Sequence, residues 1–318
     1  MLKDGINLNK YPERILLPDP TRKDLVAIDH DNPGSPSEHL DVIFPVVHGT
    51  FGEDGTLQGL LELANIPYVG AGVLGSSVGM DKVIAKQLFE RAGLPVASYV
   101  TFLNAQFINK PKGIISEIEK KLGFPCFIKP ANSGSSVGIS KAHNRKELIR
   151  CIELAMEYDR KILVEKAVEN SREIELSVLG NDNPIVSIPG EIIPSNEFDD
   201  YDAKYVDGKS QAVIPARLPA KTIKKLQEYA IAGYKAIDCS GMARVDFLVK
   251  RKTNAIFLNE LNTIPGFTSI SMYPKLWEAS GISYAELLDR LIHLAIERHK
   301  QKSVLKTTYV PKTSWYKE

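Results

Sequence analysis

Between Gly241 and Ser271 the chain carries a pattern that few folds accommodate. Met242-Ala243-Arg244-Val245-Asp246-Phe247-Leu248-Val249 and Ala255-Ile256-Phe257-Leu258-Asn259-Glu260-Leu261-Asn262 flank the polar stretch Lys250–Asn254, and Thr263-Ile264-Pro265-Gly266 follows. Two apolar, β-branched-rich runs around a short polar turn predict a β-hairpin. Side chains alternate along a strand, so Arg244 and Asp246 share one face, as do Glu260 and Asn262. If both faces point the same way, two carboxylates, an amide oxygen and a guanidinium meet. Carboxylates that close repel unless a cation or proton intervenes. Hard oxygen ligands on a rigid hairpin suit Mg²⁺, which keeps waters and shares substrate phosphates. Asp246 or Glu260 alone reads better as part of a solvated charged face. The combination of R-x-D, N-E-x-N and Pro-Gly favours a site.

With 318 residues, 43% hydrophobic and 25% charged, the chain has room for two or three domains of an ordinary water-soluble kind. A net charge of +1 gives no field for nucleic acid or an anionic membrane. Cys126, Cys151 and Cys239 are few, odd in number and far apart, so neither a disulfide framework nor a thiolate zinc site is indicated. The N-terminus is not a signal peptide, and no apolar run approaches membrane-spanning length. A cytoplasmic protein without membrane insertion is expected.

Residues 1–40, with five prolines among many charges, read as loop or edge structure. Asp41–Val47 predicts a buried strand of a parallel sheet, running into the Gly-rich turn 48–55 and a helix with Leu57, Leu60, Leu61 and Ala64 on one face. Strand, turn and helix make half of a mononucleotide-type unit. Gly70, Gly72, Gly75 and Gly79 then suggest a crossing between domains. A helix is expected from Asp81 to Ala92, stopped by Gly93. Lys82 at its start opposes the helix dipole and calls for an anionic partner, although a solvated lysine fits the position equally. A strand ending at Lys129 precedes Ala131–Ile139, whose small residues and hydroxyls suit phosphate oxygens as well as a flexible turn tip. A helix from Arg145 to Met156, a strand Lys161–Lys166, a strand pair from Ser171 to Val186 and a long irregular stretch 191–216 follow. Next come a helix marked by Ile223, Leu226, Ala230 and Ile237, the hairpin, and a last helix capped by Ser283 with Glu286 three residues on.

In this order the motifs resemble the D-alanine–D-alanine ligases of the ATP-grasp superfamily, over about Asp41 to Leu294. The resemblance rests on H-G-x-x-G-E-D-G at 48–55, M-D-K at 80–82, K-P-x-x-x-G-S-S-V-G at 129–138, V-E-K at 164–166 and R-E-I-E at 172–175. It rests further on Y-D-A-K-Y at 201–205, A-R-V-D at 243–246 and N-E-L-N-T-I-P-G-F-T-S at 259–269. It implies an ATP-grasp fold of α/β and α+β parts: an N-terminal mononucleotide-binding-like unit at 1–70, a central unit at 71–166 and a C-terminal unit at 167–318 holding the hairpin. It also implies ATP-dependent joining of two D-alanines through an acyl phosphate for peptidoglycan precursors, and a homodimer.

The site residues implied by the resemblance are as follows. Lys82, Lys129 and Lys204 counter phosphate charge, and Ser133, Gly134, Ser135, Ser136 and Val137 cover the phosphates. Glu165, Lys166, Ala167, Val168 and Glu173 match the adenosine site. Asp246, Glu260 and Asn262 match ligands of two Mg²⁺, or Mn²⁺. Arg244 and the Gly266 N–H match an oxyanion site. Ser135 and Tyr205 match a loop-closing network beside Lys204. His48 and Glu53 match the first-substrate region, and Ser271 and Met272 the clamp on the second alanine's carboxylate. Nothing before Asp41 resembles the family's first strand, helix and strand, whose glutamate holds the first D-alanine, so weak first-site affinity is expected of this chain. A nucleotide-binding pseudoenzyme and a D-alanine–D-lactate ligase are the alternatives.

Overall fold

The computed structural model describes residues 14–27, 38–134, 136–194, 211–268, 270–307 and 309. The chain opens with a small antiparallel meander: β1 (Arg14–Leu16), β2 (Asp24–Ala27) and β3 (Glu38–His39). The apolar run 41–47 that predicted a buried strand forms none. Its strand pairing is one parallel bridge from Ile43 to Tyr68, and Val46 and Val47 are 60% and 42% exposed. Pro45 lacks an N–H, and 67–69 is the only segment bonded to this run among the described residues, so a ladder does not propagate. The helix α1 (Thr56–Leu63) follows as expected, burying Leu61, with Ala64 buried at its C-cap.

The Gly-punctuated crossing is in fact a helix, α2 (Val73–Met80). Its glycines serve approach rather than turning. A Cβ on Gly75 would lie 2.9 Å from the Asp238 carbonyl oxygen, and one on Gly79 2.9 Å from the Thr263 methyl. Helix α3 (Lys82–Arg91) starts where expected, with the Asp81 carboxylate accepting the Val83 and Ile84 N–H groups.

Residues 99–166 build a four-stranded antiparallel sheet in the order β4-β7-β5-β6, from β4 (Tyr99–Leu103), β5 (Cys126–Pro130), β6 (Ser140–Ala142) and β7 (Lys161–Lys166). The short helix α4 (Asn104–Asn109) leads into α5 (Pro111–Lys121), and α6 (Arg145–Met156) lies between β6 and β7. Together they cover one face, where Phe102, Ile118, Cys126, Ile128, Ile152, Ile162 and Val164 form a core. Alternation therefore sends Lys129 and Glu165 to the opposite face.

The second large sheet runs β11-β10-β8-β12-β13, with β9 paired to β8. Its strands are β8 (Ser171–Leu179), β9 (Ile185–Val186), β10 (Gly190–Ile193), β11 (Gln211–Val213), β12 (Met242–Lys250) and β13 (Ile256–Asn262). The stretch expected to be irregular thus begins and ends in paired strands. One sheet face, with Ile174, Leu176, Val178, Val245, Phe247, Leu258 and Leu261, is buried against α7 (Ala220–Ala236) through Leu226, Ala230 and Tyr234. Ala85, Phe89 and Leu94 join this core, so α3 packs onto the second sheet. A third core unites Val69, Met242 and Ile264 with α8 (Met272–Ala279) and α9 (Tyr284–Ser303) through Tyr273, Trp277, Leu287 and Leu291. Helix α8 was not expected, and α9 is the last helix expected, with the Ser283 hydroxyl accepting the Glu286 N–H at its start. None of the described helices is long and apolar enough to cross a membrane.

Candidate active site

The expected hairpin forms, and its register pairs Arg244 with Asn262 and Asp246 with Glu260. Antiparallel partners lie side by side on one face, so the four predicted residues converge. On the other side of β12, Glu175 pairs with Asp246 and Glu173 with Leu248. Arg244 holds the Asp246 carboxylate in a two-pronged bond, Nε to Oδ1 at 2.8 Å and Nη2 to Oδ2 at 2.7 Å, and reaches Glu175 at 3.2 Å. Asn262 Nδ2 donates to Asp246 Oδ2 at 3.0 Å. Burial alone would ease the proton from Arg244, but the Asp246 and Glu175 carboxylates outweigh it and hold the guanidinium charged.

The register slips once, between Asp246 and Phe247, leaving Asn259 as the extra residue of a bulge. The slip re-aims Asn259. Its Oδ1 accepts from Lys129 Nζ at 3.3 Å and its carbonyl from Lys86 Nζ at 3.4 Å. Beyond the bulge Leu248 faces Phe257, an apolar pair on the same face as the acidic residues.

Across from this face lie the lysines. Lys129 Nζ is 2.5 Å from Glu165 Oε2, and Lys86 Nζ 2.5 Å from Glu165 Oε1. Burial would raise the Glu165 carboxyl, but the two ammonium groups, Lys129 first, hold it at about 2. Burial also works against the Lys129 charge, and there Glu165 and Glu260 prevail and raise its pKa. The Lys82 ammonium is buried and donates to the Ser133 carbonyl at 2.7 Å. Burial lowers its pKa and the Lys129 charge adds to this, against the pull of Glu260, Glu165 and Glu53. The solvated-lysine reading of position 82 is thus excluded.

The loop after β5 folds on itself: Ser133 Oγ donates to the Val137 carbonyl at 3.0 Å, and Ser136 adopts φ 61°. At Gly134 the loop touches the N-terminal turn so closely that a Cβ would lie 3.0 Å from Gly49 Cα. In that turn the Glu53 carboxylate accepts the Gly49 N–H at 2.5 Å, and His48 Nδ1 lies 3.1 Å from the Ile264 carbonyl. Burial raises the Glu53 pKa against Gly49, His48 and Arg244. Gly266 abuts Ser271, whose Oγ accepts the Thr268 N–H at 3.0 Å.

Several predicted residues already have partners within the protein. The Glu165 carboxylate is taken up by the lysines, and the Ala167 N–H by the Pro125 carbonyl. The Lys166 N–H goes to Ser98, and the Val168 carbonyl accepts Ser171 Oγ at 2.7 Å. Met272 packs its buried side chain under Gly190, so the group it offers at the start of α8 is main chain. Ser135, Lys204 and Tyr205 lie outside the described residues. Lys86, Asn259 and Glu175 were missed. Lys86 sits four residues after Lys82, one helical turn on, and that spacing was the available signal. Among the described residues, no three His, Cys, Asp or Glu side chains are grouped as a metal site. A cavity of about 650 Å³ between Tyr68, Asp238 and Arg298 is lined by none of the predicted residues.

Two family models match this chain: "D-ala D-ala ligase N-terminus" over residues 6–71 and "D-ala D-ala ligase C-terminus" over 88–293. The chain belongs to the D-alanine–D-alanine ligase family. The match starts at residue 6, well before Asp41, where the motifs began. The D-alanine–D-alanine ligase of Acetivibrio thermocellus is 50% identical over 301 residues, 94% of this chain and 79% of that protein. That of Chloroherpeton thalassium is 58% identical over 267 residues, 84% of this chain and 73% of that protein. The D-alanine–D-alanine ligase structure from Coxiella burnetii superposes with a TM-score of 0.81 at 38% identity, covering 93% of this chain and 78% of that one. The VanG D-Ala:D-Ser ligase structure from Enterococcus faecalis gives 0.79 at 41% identity, covering 89% and 79%.

Proposed function

We propose that this protein joins two D-alanines at the expense of ATP. The observation that carries the reading is the convergence of Lys82 and Lys129 with Glu260, beside the Arg244–Asp246 fork, in a chain of this family. A carboxylate is a poor acyl donor at neutral pH because its leaving group is oxide. Transfer of the γ-phosphoryl group to the first D-alanine makes an acyl phosphate and ADP. The amine of the second D-alanine attacks that carbonyl, and phosphate departs with the C–O bond pair. Lys82 and Lys129 would orient the phosphates and spread their charge. Arg244 would steady the tetrahedral oxyanion with the Gly266 N–H, where one donor is worth about 10²–10³ in rate. His48 and Glu53 would border the first substrate, and Ser271 the carboxylate of the second. The Leu248–Phe257 pair offers an apolar floor to the base.

The donor set fits a divalent metal, because Asp246, Glu260 and Asn262 bring two carboxylates and an amide to neighbouring pairs on one face of the hairpin. When bound, Mg²⁺ would neutralise phosphate charge and act as a Lewis acid. We assign the reaction to the cytoplasm, where ATP is supplied, as a step toward peptidoglycan precursors, and expect a homodimer. The experiment is phosphate release by purified protein with ATP, Mg²⁺ and D-alanine, with the product identified by mass. D-alanine-dependent phosphate and D-alanyl-D-alanine are expected. Phosphate release indifferent to D-alanine would overturn the reading. Offering D-serine and D-lactate in the same assay tests the second site, which is expected to prefer D-alanine.

A further inference from the structure

We propose that Lys86 is a positioning residue for the nucleotide's phosphates: it offsets the Glu165 carboxylate, so that the cluster of Lys86, Glu165 and Lys129 presents one net positive charge to ATP. The inference rests on the ATP site argued above. Lys86 and Lys129 hold the same two residues in a matched way. Lys86 takes Glu165 Oε1 and the Asn259 carbonyl, and Lys129 takes Glu165 Oε2 and the Asn259 side-chain oxygen. The two differ in position. The Lys86 side chain is 2% exposed and Lys129 11%, so Lys129 faces the cleft and Lys86 stands behind the carboxylate.

With Lys129 alone, Glu165 would cancel the charge of the group that has to meet a phosphate. Glu260 and Glu173 also act on Lys129 from the second sheet, so the cleft has no shortage of carboxylates. A second lysine on the same carboxylate leaves the three groups with one net positive charge. A structural salt bridge would need one lysine for one carboxylate. A buried carboxylate shared between two ammonium groups, one of them at the cleft, is instead an arrangement that sets charge where the ligand arrives.

The test is a double-mutant cycle on nucleotide binding, with adenosine and ATP as probes. Lys86→Met is expected to weaken ATP about tenfold and leave adenosine within about twofold, since adenosine lacks the phosphates. Lys86→Met combined with Glu165→Gln restores the net positive charge and is expected to return ATP affinity to within about threefold of the wild type. Lys86→Arg keeps the charge and is expected to bind ATP nearly as well as the wild type. If Lys86→Met does not fold, the double variant and Lys86→Arg still decide the matter. A folded double variant that binds ATP as weakly as Lys86→Met, or no better than about tenfold below wild type, overturns the proposal. Equal loss of adenosine and ATP overturns it too, because that is the signature of a merely structural lysine. Wild-type protein that does not prefer ATP over adenosine would instead overturn the assignment of the phosphate site.

Discussion

Glu260 occupies the central place among the proposed metal donors: it faces Asp246 across the hairpin and lies close enough to Lys82 and Lys129 to act on both. Glu260→Gln keeps the shape and removes the charge. Turnover at ordinary Mg²⁺ is expected to fall by about 10² or more while the unfolding transition stays cooperative. Near-wild-type turnover would remove Glu260 from the site. Glu165 gives a second prediction, in stability. Its carboxyl sits at about 2 in the folded chain against an ordinary 4.5. The folded state therefore binds the proton more weakly than the unfolded one, and the carboxylate's contribution is complete above 4.5 and lost as pH falls toward 2. Denaturant unfolding followed from pH 6 to pH 3 is expected to show a shallower decline in Glu165→Gln than in the wild type. Equal declines would mean that the lysines do not hold the proton off this group.

At the scale of elements, α2 is a helix built to come close. Gly75→Ala places a methyl 2.9 Å from a backbone oxygen that cannot swing away. A loss of about 1–3 kcal/mol in denaturant unfolding is expected, despite alanine's better helix propensity. Unchanged or greater stability would show that α2 can move aside. The same helix marks a limit of reading from sequence. Its glycines looked like punctuation, because a sequence does not distinguish a glycine that turns the chain from one that admits a neighbour. Helix α8 was hidden in a similar way by Pro274, which reads as a breaker but sits in the first turn, where its missing N–H costs little. The hairpin was legible, since a period of two sustained over Met242–Lys250 leaves one alternative face for Arg244 and Asp246. The bulge was not. Strict alternation sends Asn259 to the same side as Leu261, and no local residue announces the extra step. The run 41–47 misled for the opposite reason, because apolar content records a wish for burial and says nothing of whether a partner strand is present.

Across the whole molecule, Arg298 ties the N-terminal unit to the base of the β12–β13 hairpin. Its guanidinium donates to the Tyr68 carbonyl at 2.9 Å, to Ser240 Oγ at 2.7 Å and to the Gly70 carbonyl, and lies 4.5 Å from the centre of the Tyr68 ring. One turn further along α9, Lys302 meets Glu62, and beside Arg298, His299 meets Asn65. Arg298→Ala leaves carbonyls without a donor, at about 1–3 kcal/mol. The D-alanine KM is expected to rise several-fold with the ATP KM unchanged, because His48 and Glu53 belong to the tethered unit and the lysines do not. Equal shifts in both constants would deny the tie this role. Close approaches add to this tie, Gly70 against Gly241 at one end and Gly49 against Gly134 at the other. Mechanically, a body pinned at two points keeps one axis of rotation, and every further grip takes freedom from it. Lys302 on Glu62 and His299 on Asn65 grip the C-terminal end of α1, and Phe44 rests on Phe267. The unit is thus clamped against rocking, and the His48 imidazole keeps its place beside the Ile264 carbonyl.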